Sequence, residues 1–384
     1  MKRFGIVALM LLLAGAGFSQ EEKKIQLRGY VKNMQTLLFF NDAFPNVSTG
    51  QLRDTFFQDN LLHNRLNFTW FANKHLTVKT EIRNRIFYGE WIKANPGFAA
   101  QVSDANNDYF DLSVLVLDRP AFVVHSMVDR LYLEYVFDKW EIRVGRQRIN
   151  WGIGNVWNPN DLFNAFAFTD FDYEERPGAD ALRIKYYTGF ASSIEGVVTA
   201  ASRLREATLA GLWRFNASSY DFQLLLGRYG DEWVWGGGWA GNLGNAGFKG
   251  EFTHFKNAFA GTLGVDYTFS GGTYLNGGYL YNSSGSTRSD ISGLFGFELS
   301  ARNLYPYRHA VFSQVTHPLH PLVNGFVAII YSPVRVHPLF LNPGITWSIA
   351  TNWDLDGIGQ FVFQRQAGYQ SPIQALFLRF KYSF

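Results

Sequence analysis

The sequence contains no cysteine. That excludes a disulfide scaffold, a thiolate metal site, cysteine catalysis and a lipoprotein anchor. Charge is scarce too. Lys and Arg number 35 and Asp and Glu 32 among 384 residues, a net of +3. Lys2 and Arg3 account for two of those cations, so the rest of the chain is nearly neutral and carries no basic footprint for nucleic acid. Long hydrophobic runs are missing from the body of the chain. The best candidate, 112–128, is interrupted by Asp118-Arg119-Pro120, and a membrane helix needs about 20 apolar residues. Charged residues make up only 17% and aromatics another 17%. Few charges with many aromatics argue against disorder.

The N-terminus has the order of a secretory signal. Met1-Lys2-Arg3 is a positive start, Phe4 to Leu13 an apolar run, and Ala14-Gly15-Ala16-Gly17-Phe18-Ser19 a stretch of small residues. Residues 1–20 are therefore expected to be a signal peptide, cleaved near Ser19 to Glu21, and 21–384 a single exported domain. An exported chain without a membrane helix is either soluble or a membrane β-barrel.

The rest of the chain reads with period two. In 376–384, Leu376, Leu378, Phe380, Tyr382 and Phe384 alternate with Arg379, Lys381 and Ser383. In 75–88, Leu76, Val78, Ile82 and Ile86 alternate with Lys79, Glu81, Arg83 and Arg85. Similar patterns occupy 61–71, 130–137, 139–147 and 259–269. A strand shows its faces alternately, so each has one apolar and one polar face. In a membrane barrel the apolar face meets lipid and the polar face a wet lumen.

Eighteen strands are expected: 25–40, 60–72, 75–88, 129–137, 139–147, 179–188, 190–200, 205–216, 219–229, 232–242, 246–256, 259–270, 273–281, 309–316, 320–332, 339–351, 353–363 and 374–384. Sixteen is the alternative if 232–256 merge. Connection lengths alternate as well. Short turns such as Asn73-Lys74, Asp138, Ala217-Ser218 and Gly271-Gly272 interleave with longer connections, among them 41–59, 89–128, 148–178 and 282–308. Short turns on one rim and long loops on the other define the outer-membrane layout. An even strand count puts both termini on the short-turn, periplasmic side. The expected fold is all-β, a transmembrane antiparallel barrel. Trp70, Tyr88, Trp140, Tyr187, Trp213 and Trp347 near strand ends suit its interfacial girdles.

The C-terminal strand, with Phe380, Tyr382 and a terminal Phe384, resembles the last strand of Gram-negative outer-membrane proteins. The resemblance implies an outer-membrane location and makes these three residues the signal read by the barrel-assembly machinery. A second stretch, Val144-Gly145-Arg146-Gln147-Arg148-Ile149-Asn150-Trp151-Gly152, is similar to substrate-specific porins and alginate-export-like barrels.

Two features bear on function. The first is lumen charge: Arg83, Arg85, Arg130 and Arg143 share inward parity with Glu81 and Glu134. Rings of arginine favour anions in a pore, while a charge-paired wall that only holds the interior together uses the same pattern. The second is the loop 148–178, which holds Arg148, Trp151, Trp157, Asp161, Phe166, Phe168 and Phe171 and follows Arg146. So aromatic a segment is awkward in water, so it is expected to fold into the lumen as a constriction. Its rings either stack on a solute or pack against the inner wall, and packing is favoured.

Other motifs carry little. Gly236-Gly237-Gly238-Trp239-Ala240-Gly241 matches G-x-G-x-x-G without the following helix a dinucleotide needs. His317 and His320 sit among Pro318 and Pro321, which reads as a turn. No H-E-x-x-H or G-x-S-x-G occurs. No cofactor, metal or catalytic residue is assigned. The expected function is an outer-membrane porin for small hydrophilic solutes, with anions or carbohydrates as candidates. The alternatives are a barrel for docking or secretion, a barrel hydrolase, and an exported soluble sandwich. Expected partners are outer-membrane lipid, lipopolysaccharide, the assembly machinery and small solutes, with a homotrimer among the expected assemblies.

Overall fold

The computed structural model describes residues 24–41, 55–104, 109–165, 175–203, 205–288, 297, 299–365 and 368–384. The expected signal peptide and Phe166, Phe168 and Phe171 lie outside these residues.

Among the described residues, nineteen strands form one antiparallel sheet. They are β1 (Ile25–Phe40), β2 (Thr55–Phe71), β3 (Leu76–Gly89), β4 (Ser113–Arg119), β5 (Phe122–Phe137), β6 (Trp140–Gln147), β7 (Ala179–Gly189), β8 (Ser192–Thr199), β9 (Thr208–Ala217) and β10 (Tyr220–Tyr229). The sheet continues through β11 (Glu232–Leu243), β12 (Ala246–Phe255), β13 (Phe259–Thr268), β14 (Tyr274–Asn282), β15 (His309–His320), β16 (Val323–Tyr331), β17 (Leu339–Ala350), β18 (Trp353–Arg365) and β19 (Tyr369–Ser383). Eighteen of them make a closed barrel wall. β1 pairs with β19 from Tyr30↔Ser383 to Phe40↔Ile373. Two further hydrogen bonds of 2.9 Å, exchanged between Gly29 and Phe384, finish the seam. Closure matters because an open edge in hydrocarbon leaves N–H and C=O groups unpaired at several kcal/mol each.

The strands form where alternation predicts them. Leu131, Leu133 and Tyr135 are exposed on the outside, while Arg130 is buried on the inside. The segment 232–256 stays two strands, joined at Gly244 with Leu243 opposite Ala246. The short turns gather on one rim. Several hold residues at positive φ, among them Asp138 (48°), Ser218 (52°), Ser219 (66°), Gly244 (62°) and Asn352 (67°). Such backbones suit tight hairpins, whose turns must match the twist of the strands they join.

Three details depart from the sequence reading. First, the connection expected over 89–128 is largely structured. It contains two short helices, α1 (Glu90–Ala94) and α2 (Phe98–Asp104), the additional strand β4 and the start of β5. β4 pairs only with β5 among the described residues, opposite Phe122–Met127, in line with β6, which takes Leu131–Phe137. Second, β5 contains a bulge. Glu81 faces Arg130 but Ile82 faces Val128, so Asp129 is the extra residue. Both Asp129 and Arg130 are buried, and a bulge of this kind re-aims side chains. Third, Tyr187 does not join the outer girdle. Its hydroxyl donates to inward Glu141 at 3.0 Å, and Tyr186 takes the place beside Trp140, with ring centroids 4.6 Å apart.

Candidate pore lining and constriction

Four neighbouring strands place one row of basic groups on the inner wall. Lys32 faces His63, His63 faces Arg85, and Arg85 faces His125. One step toward the short-turn rim, Arg83 Nε donates to His63 Nε2 at 3.3 Å. Arg85 Nη2 lies 3.1 Å from His125 Nδ1. A guanidinium only donates, so each imidazole must offer a lone pair, which a neutral ring does. The ammonium groups of Lys32 and Lys381 sit 5.1 and 4.9 Å from the centroid of the Tyr30 ring, within cation–π range.

Beside this row lies a tight ionic knot. Arg65, fully buried, reaches Glu81 and Asp129 at 2.5 Å each and Glu175 at 3.6 Å. Arg130 pairs with Asp129 at 3.0 Å. It also donates to the carbonyl oxygens of Glu175, at 3.0 Å, and Arg176. The bulge makes the knot possible, because it turns an acid and a base of consecutive number to the same side. Glu81 and Arg130 thus belong together, tied to the end of the long β6–β7 loop.

Toward the short-turn rim the charges alternate. Arg143 pairs with Glu134 and, at 3.0 Å, with Glu141. Arg183 bridges Glu141 at 3.2 Å and Glu195 at 2.8 Å. Arg143 and Glu134 are therefore held as partners in a charge-paired wall, while Arg83 and Arg85 lie beside the imidazoles of His63 and His125.

The β6–β7 loop enters the barrel, and its first part lies against the inner wall. Ile149, Trp151 and Leu162 pack on Ala181, Val197, Leu212 and Leu225. Val156 and Trp157 pack on the far wall around Leu280, Phe312 and Ile330. Both tryptophans are buried, so they anchor the loop rather than offer a free stacking face. Polar bonds fix its height. Trp151 Nε1 donates to Glu195 at 2.6 Å, and the backbone amide of Gly154 to Glu251 at 3.0 Å. Asn160 donates to Gly237 O at 3.0 Å and accepts from Thr253 at 2.6 Å. The glycine run of β11 now has its reason. A Cβ on Gly236 would come within 2.7 Å of Asn160 Oδ1, and one on Gly238 within 2.8 Å of Ile153 Cδ1. These inward positions must be bare for the loop to seat.

Two expected loop residues lie at its base and tip. Arg148 is partly buried and Asp161 almost fully. Burial pushes the Asp161 carboxyl up to about 7, against the pull of Arg176, Arg148 and the amides of Asn164 and Phe163. Burial, with Arg176 close by, lowers Arg148 from the usual guanidinium value.

Arg146 does not join the constriction. It is the register partner of outward Leu131 and of Asp180. Its guanidinium holds Asp180 through two bonds, Nε–Oδ1 at 3.0 Å and Nη2–Oδ2 at 2.9 Å. It also donates to Val128 O at 3.3 Å and to Phe110 O. The segment leading into β4 covers the pair, with Phe110 N donating to Asp180 at 2.9 Å. Around it runs an apolar outer groove of about 560 Å³, lined by Phe110, Leu112, Leu131, Val144, Leu182 and Val198. The physical reason is parity: β6 runs on to Gln147, so Arg146 falls on the face opposite Arg143.

A closed eighteen-strand barrel with an apolar exterior, a charged inner wall and an inserted loop has the architecture of a porin. Comparison with solved structures finds this architecture. OccAB4 of Acinetobacter baumannii is 11% identical, with a TM-score of 0.57 over 94% of this chain and 98% of that chain. OccK7 (OpdD) of Pseudomonas aeruginosa is 9% identical, with a TM-score of 0.56 over 93% and 99%. OpdQ of Pseudomonas aeruginosa is 8% identical, with a TM-score of 0.56 over 94% and 98%. These neighbours are Gram-negative outer-membrane porins, and what the chain shares with them is the fold. No family model matches the chain. No curated protein matches it either.

Proposed function

We propose that the protein is a passive outer-membrane channel for small hydrophilic solutes that prefers anions. The observation that carries this reading is the row Lys32, His63, Arg85 and His125 on the inner wall, with Arg83 beside it. Guanidinium groups stay protonated at any relevant pH and bind carboxylate or phosphate in a planar fork. In a narrowed passage, where the effective dielectric falls, each fixed charge acts more strongly. Porin-fold neighbours support the channel class and an outer-membrane location. Planar-bilayer recording tests both parts. Discrete conductance steps are expected from the purified barrel, with a reversal potential under a salt gradient that reports anion preference. Replacing Arg83 and Arg143 together with alanine should shift that potential toward cations. Deleting 152–170 should raise conductance. An unmoved potential in the double variant would make these arginines purely structural.

The reading extends to biogenesis. Residues 1–20 act as the export signal, and Phe380, Tyr382 and Phe384 as the signal for assembly. Supporting this, Phe380 and Tyr382 cluster on Trp353, with centroids 4.8 and 4.5 Å away, and Phe384 closes the β1–β19 seam. Changing Phe384 to Asp should lower the yield of heat-modifiable barrel in the outer membrane. Undiminished yield would remove Phe384 from the signal.

A further inference from the structure

The inner face of β12 presents three successive side chains to the constriction loop. Lys249 Nζ donates to Asn155 Oδ1 at 2.8 Å. Glu251 accepts from two backbone amides, Ile153 on Oε2 at 3.3 Å and Gly154 on Oε1 at 3.0 Å. Thr253 Oγ1 donates to Asn160 Oδ1 at 2.6 Å. Alternate positions of a strand share a face, so the three form one row along the wall. The row beside it on β11 is small. Ala240 pairs with Lys249, Gly238 with Glu251 and Gly236 with Thr253. One strand supplies the bonds and its neighbour the room. From β14, Asn276 Oδ1 accepts from Asn155 Nδ2 at 3.0 Å, which ties the same segment to a second strand.

Glu251 stands out within the row. It is 1% exposed, and backbone amides meet both of its oxygens. A carboxylate buried so deeply is costly unless it is hydrogen-bonded, and bonds to an ionised acceptor are the strong ones. The loop presents two consecutive amides here, and a carboxylate offers an acceptor oxygen to each. We infer that Glu251 is a positioning residue of the channel, which holds 153–154 so that the constriction loop keeps one height in the passage. The inference rests on the channel reading and adds the residue through which β12 sets the constriction. Trp151, two residues before Ile153, is anchored on Glu195 of β8. Glu251 is thus the second of two fixed points, one on each of two separated strands. Without its carboxylate the amides of Ile153 and Gly154 lose their acceptor, the segment moves between positions, and the ionic current fluctuates with it.

The experiment records open-channel current noise in planar bilayers for the wild type, Glu251→Gln and Glu251→Ala, each first shown to be folded by heat-modifiable migration. Glutamine keeps the shape but accepts with only one of its two terminal atoms, and alanine with neither. Noise power should rise from wild type to glutamine to alanine, by at least about threefold for alanine, because two bonds to an ionised group are lost. A merely structural role would lower stability without moving the noise. Deleting 152–170 removes the segment that Glu251 holds, so Glu251→Ala should add no noise on that background. Replacing 153–155 with one glycine serves as the background should the longer deletion fail to fold. Unchanged noise in folded Glu251→Ala would overturn the inference, and so would a rise that persists once the segment is gone. Absence of any conductance from folded wild-type barrel would instead overturn the channel reading beneath it.

Discussion

Replacing Asp180 with alanine is expected to destabilise the barrel by about 3–5 kcal/mol, because it leaves the Arg146 guanidinium buried without its carboxylate. The pair is almost fully buried, its two bonds are short and parallel, and the surrounding groove is apolar. Water cannot take the place of the lost acid there. Asp180 also receives the amide of Phe110, so the variant should loosen the residues that lead into β4. Urea unfolding of the detergent-refolded barrel measures the loss. Replacing both partners with leucine should recover most of it, since an apolar pair of similar volume is often no worse than a buried ion pair. A single variant as stable as the wild type would mean that solvent reaches the pair.

The second large effect concerns the lipid face. Ile82 lies in an outward row between Leu66 and Val128, and its neighbour Arg83 points inward to His63. Ile82→Arg should cost about 2–4 kcal/mol if the position lies near the bilayer midplane. Arg83→Ala shortens a side chain on a polar wall, with loss of its hydrogen bond to His63, and should cost less than the lipid-face change. The same unfolding assay compares them. Equal losses would reverse the assignment of faces.

The barrel was legible because its physics is local. Closure, strand number and the side of each strand follow from a period of two and from the alternation of short and long connections, both plain in the chain. What escaped depends on contacts between distant segments. β4 is mostly apolar without clean alternation, and its register is set by β5 rather than by its own sequence. The upper half of β5 was hidden because the bulge at Asp129 inverts its phase. Of the candidate site, the inward parity of Arg83, Arg85, Arg130 and Arg143 was readable. Their partners were only partly so: Glu81 and Glu134 share strands with them, but Glu175 comes from the far end of a loop and His125 from beyond the bulge. Arg146 adjoins the loop in sequence, but its parity on β6 sets it on the face opposite Arg143. The tryptophans of the loop could be read as apolar, and their burial against the wall was the favoured outcome.

The bulge also has a consequence for how β5 can vary. Below it, odd positions such as Leu131, Leu133 and Tyr135 look outward. Above it, odd positions such as Val123, His125 and Met127 look inward. The strand is thus two half-strands in opposite phase, joined by a single spare residue. Removing that residue would restore a straight ladder and reverse one half relative to the other. His125 would then face outward and Val124 the lumen. The spare residue therefore works as a reading-frame mark within the wall, and losing it would move the upper half out of frame although every other side chain in β5 stayed the same.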